Sequence, residues 1–329
     1  MSKRTRLFLL LSAGILAAGL GTGLIASYAG FQLTLIGSDG PAELSYVPQD
    51  AQIVAYAHVR EVMDSDVRRR LLRPDRPAGG AGRFEAETGI DLERDVEYVV
   101  ASFTGGGEDR PLVLARGRFD AGRIEAAIRQ RGGTVETYNG ARLMVHAEPN
   151  IGVAFVEPDL VVVGTSESVR QAIDTKASGA NVRQNEELMR ILREADDGEA
   201  WGVARFEALT GAGRLPADVA RQLPPITWFA VTGHLDGGLS AVVRAEARDE
   251  TAARDLLDVI NGFVALARLQ ARGRAEFAAV LDSVQLGSAG RSVSLAFSVP
   301  QELLDALAAA RLRGPRLPEV PGQPGDSRP

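Results

Sequence analysis

The sequence predicts an α+β protein: an N-terminal transmembrane helix followed by two related β-α-ββ-α-ββ-α units with mainly antiparallel sheets. Two observations carry that expectation. Leu7–Ala29 is an uncharged, mostly apolar run of 23 residues. As a helix it would extend about 34 Å, enough to cross a bilayer. The second observation is a pattern written twice. VEYVVASF, a glycine-rich turn, PLVLARGRF and DAGRIEAAI span Val96 to Ile128; TWFAVTGHL, DGG, LSAVVRAEA and DETAARDLLDVI span Thr227 to Ile260. Each is two apolar strands joined by a turn, then an amphipathic helix opened by an acid.

In chain order, Lys3, Arg4 and Arg6 precede the apolar run, and the first charges after it are Asp39 and Glu43. The positive-inside rule places the N-terminus in the cytoplasm and the rest outside, as a single-pass protein of the bacterial cytoplasmic (inner) membrane. The rival is a cleaved signal peptide, with Ser27-Tyr28-Ala29 ahead of a cut before Gly30. The anchor is preferred because the run is long. Residues 7–29 thus make the lipid bilayer the first partner. Gly19 and Gly23 form a GxxxG pair, a face for weak self-association.

Residues 1–37 are then the basic start and anchor, 38–49 a linker, 50–180 the first unit and 181–312 the second. Residues 313–329 carry five prolines and no apolar periodicity, so a disordered tail is expected. Ala51–Val59 reads as a strand covered on both faces and Arg60–Leu72 as a helix. Asn139-Gly140 sits between TVETY and ARLMV, the signature of a type I′ hairpin. Glu157-Pro158-Asp159 joins two further strands, and Thr165 caps a helix. The second unit opens with AWGVARFEAL, matched to VAYAHVREVM so that Glu61 meets Glu207 and Met63 meets Leu209. Its long helix carries Leu256, Ile260, Phe263 and Ala267 at the spacing of a buried stripe, with Gly273 as its C-cap. Ile124 and Ile128 should face their sheet as Leu256 and Ile260 face theirs, leaving Glu125 in solvent.

The composition narrows the function classes. Cysteine is absent from the 329 residues, which excludes disulfides, thiolate metal sites and a lipidated cysteine. Net charge is −6, and the exported part is more acidic still, so no nucleic-acid partner is expected. His58, His146 and His234 lie in no spaced metal-ligand pair. Asp64 and Asp66, and Glu194, Asp196, Asp197 and Glu199, read as solvated acid runs and not as calcium ligands. Gly105–Arg110 reads as a hairpin tip, and Arg68–Arg70 with Arg73 and Arg76 as a positive helix face. No catalytic, cofactor-binding or metal residues are assigned, and no cofactor is expected.

Tyr46-Val47-Pro48-Gln49-Asp50-Ala51, ahead of an apolar strand and behind a membrane segment, resembles the start of the folded part in an uncharacterised family of exported, membrane-anchored bacterial proteins of unknown function. The resemblance implies no activity. The expected function is a non-catalytic binding or scaffolding ectodomain that meets other envelope proteins. The alternatives are an extracytoplasmic hydrolase with dispersed catalytic residues and a cleaved, soluble periplasmic binding protein.

Overall fold

The computed structural model describes residues 40–65, 91, 94–105, 110–147, 150–195, 198–211, 223–235, 238–271, 275–299 and 301–304. The expected span 7–29, the arginine cluster 68–76, Asp66, Gly273 and the tail 313–329 lie outside them. No helix among the described residues is long and apolar enough to cross a membrane.

Among the described residues every strand pairing is antiparallel, and together they make one mixed α+β body on a single 12-stranded sheet, in the order β11-β12-β10-β9-β8-β1-β2-β3-β7-β6-β5-β4. The strands are β1 (Ile53–Ala57), β2 (Val96–Thr104), β3 (Arg110–Gly117), β4 (Thr134–Tyr138), β5 (Ala141–His146) and β6 (Ile151–Glu157). The rest are β7 (Leu160–Gly164), β8 (Ala200–Arg205), β9 (Ile226–His234), β10 (Leu239–Ala247), β11 (Gln285–Ala289) and β12 (Ser292–Val299). Near the middle of the sheet β1 pairs with β8, with Tyr56 opposite Trp201. Outward from that pair the chain runs β1-β2-β3-β7-β6 on one side and β8-β9-β10-β12-β11 on the other; the β4–β5 hairpin extends the first side.

The helices are α1 (Val59–Asp64), α2 (Ala121–Gln130), α3 (Ser166–Ser178), α4 (Glu186–Ala195), α5 (Phe206–Gly211), α6 (Glu250–Gln270) and α7 (Ala275–Ser283). Their starts follow the local chemistry. Asp120, Thr165 and Asp249 each accept a backbone N–H three residues on, at 2.9, 3.1 and 2.8 Å. Gly179, at φ +77°, ends α3. Asn139 and Gly140 both have positive φ, 45° and 84°, as the I′ turn requires.

Alternation along each strand splits the core between two faces. On one face Val54, Val100, Leu114, Val162, Trp201 and Trp228 pack with Leu44, Val169 of α3 and Leu188 and Leu192 of α4. On the other, Ala57, Val96, Val99 and Ala200 meet α1, and Ala245 and Val293 meet Ala252, Ala253 and Leu256 of α6.

Three expectations change. Residues 40–49, read as linker, are packed: Leu44 and Val47 are fully buried, a 3₁₀ turn spans Ala42–Tyr46, and Pro48 bridges to Asn181. The long helix ends at Gln270, and α7 follows as a separate helix with no counterpart in the pattern reading. Phe263 is not in the buried stripe of α6; it is 57% exposed, because the stripe continues from Ile260 through Val264 and Ala267 and leaves Phe263 on the flank.

Candidate functional site

Strand β3 buries Leu112 and Leu114 on one face, and the next position on that face is Arg116. An arginine there faces the core and must find anions. It finds three. Nε donates to Glu43 Oε1 at 2.6 Å, Nη2 reaches Glu157 Oε2 at 2.8 Å, and Nη1 reaches Asp159 Oδ1 at 2.7 Å. Glu43 comes from the 3₁₀ turn and is 1% exposed; Glu157 ends β6, and Asp159 lies in the turn to β7. Tyr98 donates to Glu43 Oε1 at 3.0 Å and Tyr46 to Glu157 Oε1 at 3.1 Å. Beyond Tyr98 the rings continue: Tyr56 lies 5.6 Å from Tyr98 and stacks at 5.6 Å on Trp201, across the central strand pair.

The electrostatics follow from this crowding. Burial would lower the Arg116 pKa, but the bonds to Glu157, Asp159 and Glu43 outweigh it and raise it. Burial first, then the adjacent Glu43 carboxylate, push the Tyr98 phenol up to about 12. Tyr46 is pushed to about 12 by burial and by Glu157. The hydrogen bond from Arg116 holds Asp159 below the usual carboxylate range. The cage ties the 3₁₀ turn to β2, β3 and the β6–β7 turn.

The concave surface lies elsewhere, along α3. Glu167, Arg170, Gln171, Asp174, Thr175 and Ser178 share one stripe, joined by Arg110 at the start of β3. Gln171 and Thr175 also line the adjoining hollow with Pro48, Gln49, Asp50 and Asn185. The stripe is held by polar bonds. Asp174 accepts from Tyr138 at 2.8 Å and from Asn139 at 2.7 Å, Glu167 accepts from Asn150 at 2.8 Å, and Arg170 pairs with Glu136 at 2.6 Å. The result is a shallow, open hollow of mixed charge beside a hairpin turn.

The residues singled out from sequence are not gathered there. His58 caps α1, its Nδ1 accepting from Glu61 N at 3.3 Å. His146 Nε2 lies 2.8 Å from the Arg131 carbonyl, and His234 Nδ1 lies 3.6 Å from Glu199. Glu194 stands beside Arg190 and Arg244. Gly105 packs against Gln52, and the hairpin tip beyond it is outside the described residues. Among the described residues no group of three or more His, Asp or Glu is placed to hold a metal. Pattern reading missed the Arg116 cage, whose members are scattered from residue 43 to residue 159. The one local clue was the arginine inside PLVLARGRF.

No family model matches the chain, and no curated protein does. Solved structures of TP0453, a bacterial (Treponema) protein, are similar in fold. Crystal form III covers 82% of this chain and 97% of that one at 10% identity, with a TM-score of 0.49. Form I covers 83% and 98% at 10% identity, with a TM-score of 0.46. The likeness is weak and assigns no activity.

Proposed function

We propose that the chain is a single-pass protein of the bacterial envelope whose exported body works by binding or scaffolding, presented close to the cytoplasmic membrane. The observation that carries this reading is the packing of residues 40–49. Val182 N donates to Val47 O at 2.8 Å, Arg183 to Pro41 O at 2.9 Å, and Lys176 to Ser45 Oγ at 2.9 Å. Together with the Glu43–Arg116 pair they fasten the chain to the body from Gly40 onward. Only residues 30–39 separate that point from the apolar run. Ten residues reach at most about 35 Å. A short tether of this kind suits a body that acts on neighbours at the membrane surface.

The groove along α3 is the binding surface in this reading, its occupant an extended segment of another envelope protein. The body itself reads as two related units, 50–180 and 181–312, meeting at β1–β8. Three correspondences support that: the outward strand order, the pairing of Val96 with Gly117 and of Ile226 with Ala247, and helices opening at Val59 and Phe206. The last sets Val62, not Met63, against Leu209. The strand faces support the one-residue shift, since Tyr56 stacks with Trp201 while the neighbouring Gly202 lies towards Ala55.

The test is fractionation with terminal sequencing. Retention after carbonate washing with an N-terminus at residue 1 or 2 supports the anchor; a mature terminus at Gly30 replaces it with the secreted form. For the groove, Arg170→Glu with Asp174→Arg should abolish co-purification of the envelope partner from solubilised membranes. An unchanged set of co-purifying proteins would remove the groove from the proposal.

A further inference from the structure

The two edges of the sheet are built differently. β4, at one end, carries Glu136 at its centre, and antiparallel pairing of β4 with itself about that residue sets two glutamates face to face. Like charges directly opposite are destabilising, and charge on an edge strand is a common guard against edge-to-edge pairing. β11, at the other end, is Gln285-Leu286-Gly287-Ser288-Ala289, with no charge and no proline. Among the described residues no strand lies on its outer side. Two helices pack over this end of the sheet: α7 lies on β12 and against α6, and α6 touches β10, β12 and β11. Its second half carries the exposed large apolar side chains of the described body: Phe263 at 57%, Leu266 at 51% and Leu269 at 53%. An unguarded edge and an uncovered apolar helix flank therefore occur together, at one end only.

We propose that this end is an interface between two copies of the chain, β11 pairing antiparallel with β11 of the second copy. The choice of occupant rests on self-complementarity. Pairing about Gly287 sets Gln285 opposite Ala289 and Leu286 opposite Ser288, with no charge brought against a like charge. A twofold axis perpendicular to the sheet reverses strand direction and keeps the faces. Both α6 helices then lie on the same face of the joined sheet, flanking the new seam, where Phe263 and Leu266 lose exposure. The opposite edge fails the same operation because of Glu136. This interface is independent of the α3 groove and of the Gly19–Gly23 face.

The chain has no cysteine, so single cysteines report cleanly. Ser288 and Thr137 are exposed residues of the two edge strands. In membranes holding the full chain, Ser288→Cys should be joined into dimers by a short bismaleimide, and Thr137→Cys should not. In detergent, Ser288→Lys should raise the dimer Kd by more than about tenfold without lowering the melting temperature. Leu266→Glu should do the same. Equal cross-linking of the two cysteine variants overturns the proposal, as does a dimer that survives Ser288→Lys. A dimer lost with Gly19→Leu and Gly23→Leu while Ser288→Lys leaves it intact assigns association to the membrane helix instead.

Discussion

Arg116 shows what one misplaced-looking residue can do. Its guanidinium holds three acids from two separate stretches, the 3₁₀ turn and the β6–β7 turn, and Glu43 is left with no water to fall back on. Removing the cation alone should therefore cost more than the ion pairs are worth. Arg116→Ala should lower stability by about 3–5 kcal/mol, since it strands a buried carboxylate. The double variant Arg116→Met with Glu43→Leu should recover much of that loss, as apolar replacements of buried pairs often do. Chemical unfolding of the full chain compares the two. The phenols give the pH arm. Tyr46 and Tyr98 have folded pKa values raised from 10.0 to about 12, so protonation favours the fold. Their contribution is complete below pH 10 and is lost as the pH climbs to 12. Tyrosinate absorbance should show these two titrating late, and Tyr98→Phe should flatten the loss of stability in that window.

The helices test the stripes. Ile124 and Leu256 are 4% and 2% exposed, whereas Ile128 and Ile260 are half-buried. Ile124→Asp and Leu256→Asp should each cost about 2–5 kcal/mol, and Ile128→Asp distinctly less. Glu125 is not a solvent bystander: it meets Arg129 at 2.7 Å and Arg142 at 2.5 Å. Its replacement by Ala should still cost no more than about 1 kcal/mol, since both arginines are largely exposed. Thermal melts of the four variants rank them. Much at this scale was legible. The Asn139-Gly140 pair, the Thr165 cap and the Glu157–Asp159 turn each have a purely local cause, readable in a few residues. What was not legible depended on distant packing. Nothing in Ala42–Tyr46 announces that Leu44 will be buried or that Glu43 will meet Arg116. Phe263 keeps perfect helical spacing, yet spacing cannot say whether the stripe runs on from Ile260 through Phe263 or through Val264.

At the scale of the molecule, one sheet runs through both halves, with β1 and β8 near its middle. Amide exchange should be slowest there and at β2 and β9, which are flanked on both sides, and fastest at β4 and β11. Uniform protection across the sheet would contradict that order. The proposed tether adds a second expectation. Lengthening residues 30–39 with a flexible insert should leave folding untouched and weaken any function that depends on distance from the membrane, read as loss of partner cross-linking.

The leading segment also decides how the body would carry load. Residues 40–49 lead through three further residues into β1, and β1 is bonded on both sides, to β2 and to β8. In an antiparallel pair the bonds run perpendicular to the strand. A pull on the N-terminus along β1 therefore loads its two ladders in shear, all bonds together, and does not peel them one at a time. Before that, the pull must break the Arg116 cage and the bonds of Val47 and Arg183. Drawn from the N-terminus, the body should yield at higher force than when drawn from the β11 edge, and single-molecule stretching along the two directions measures that difference.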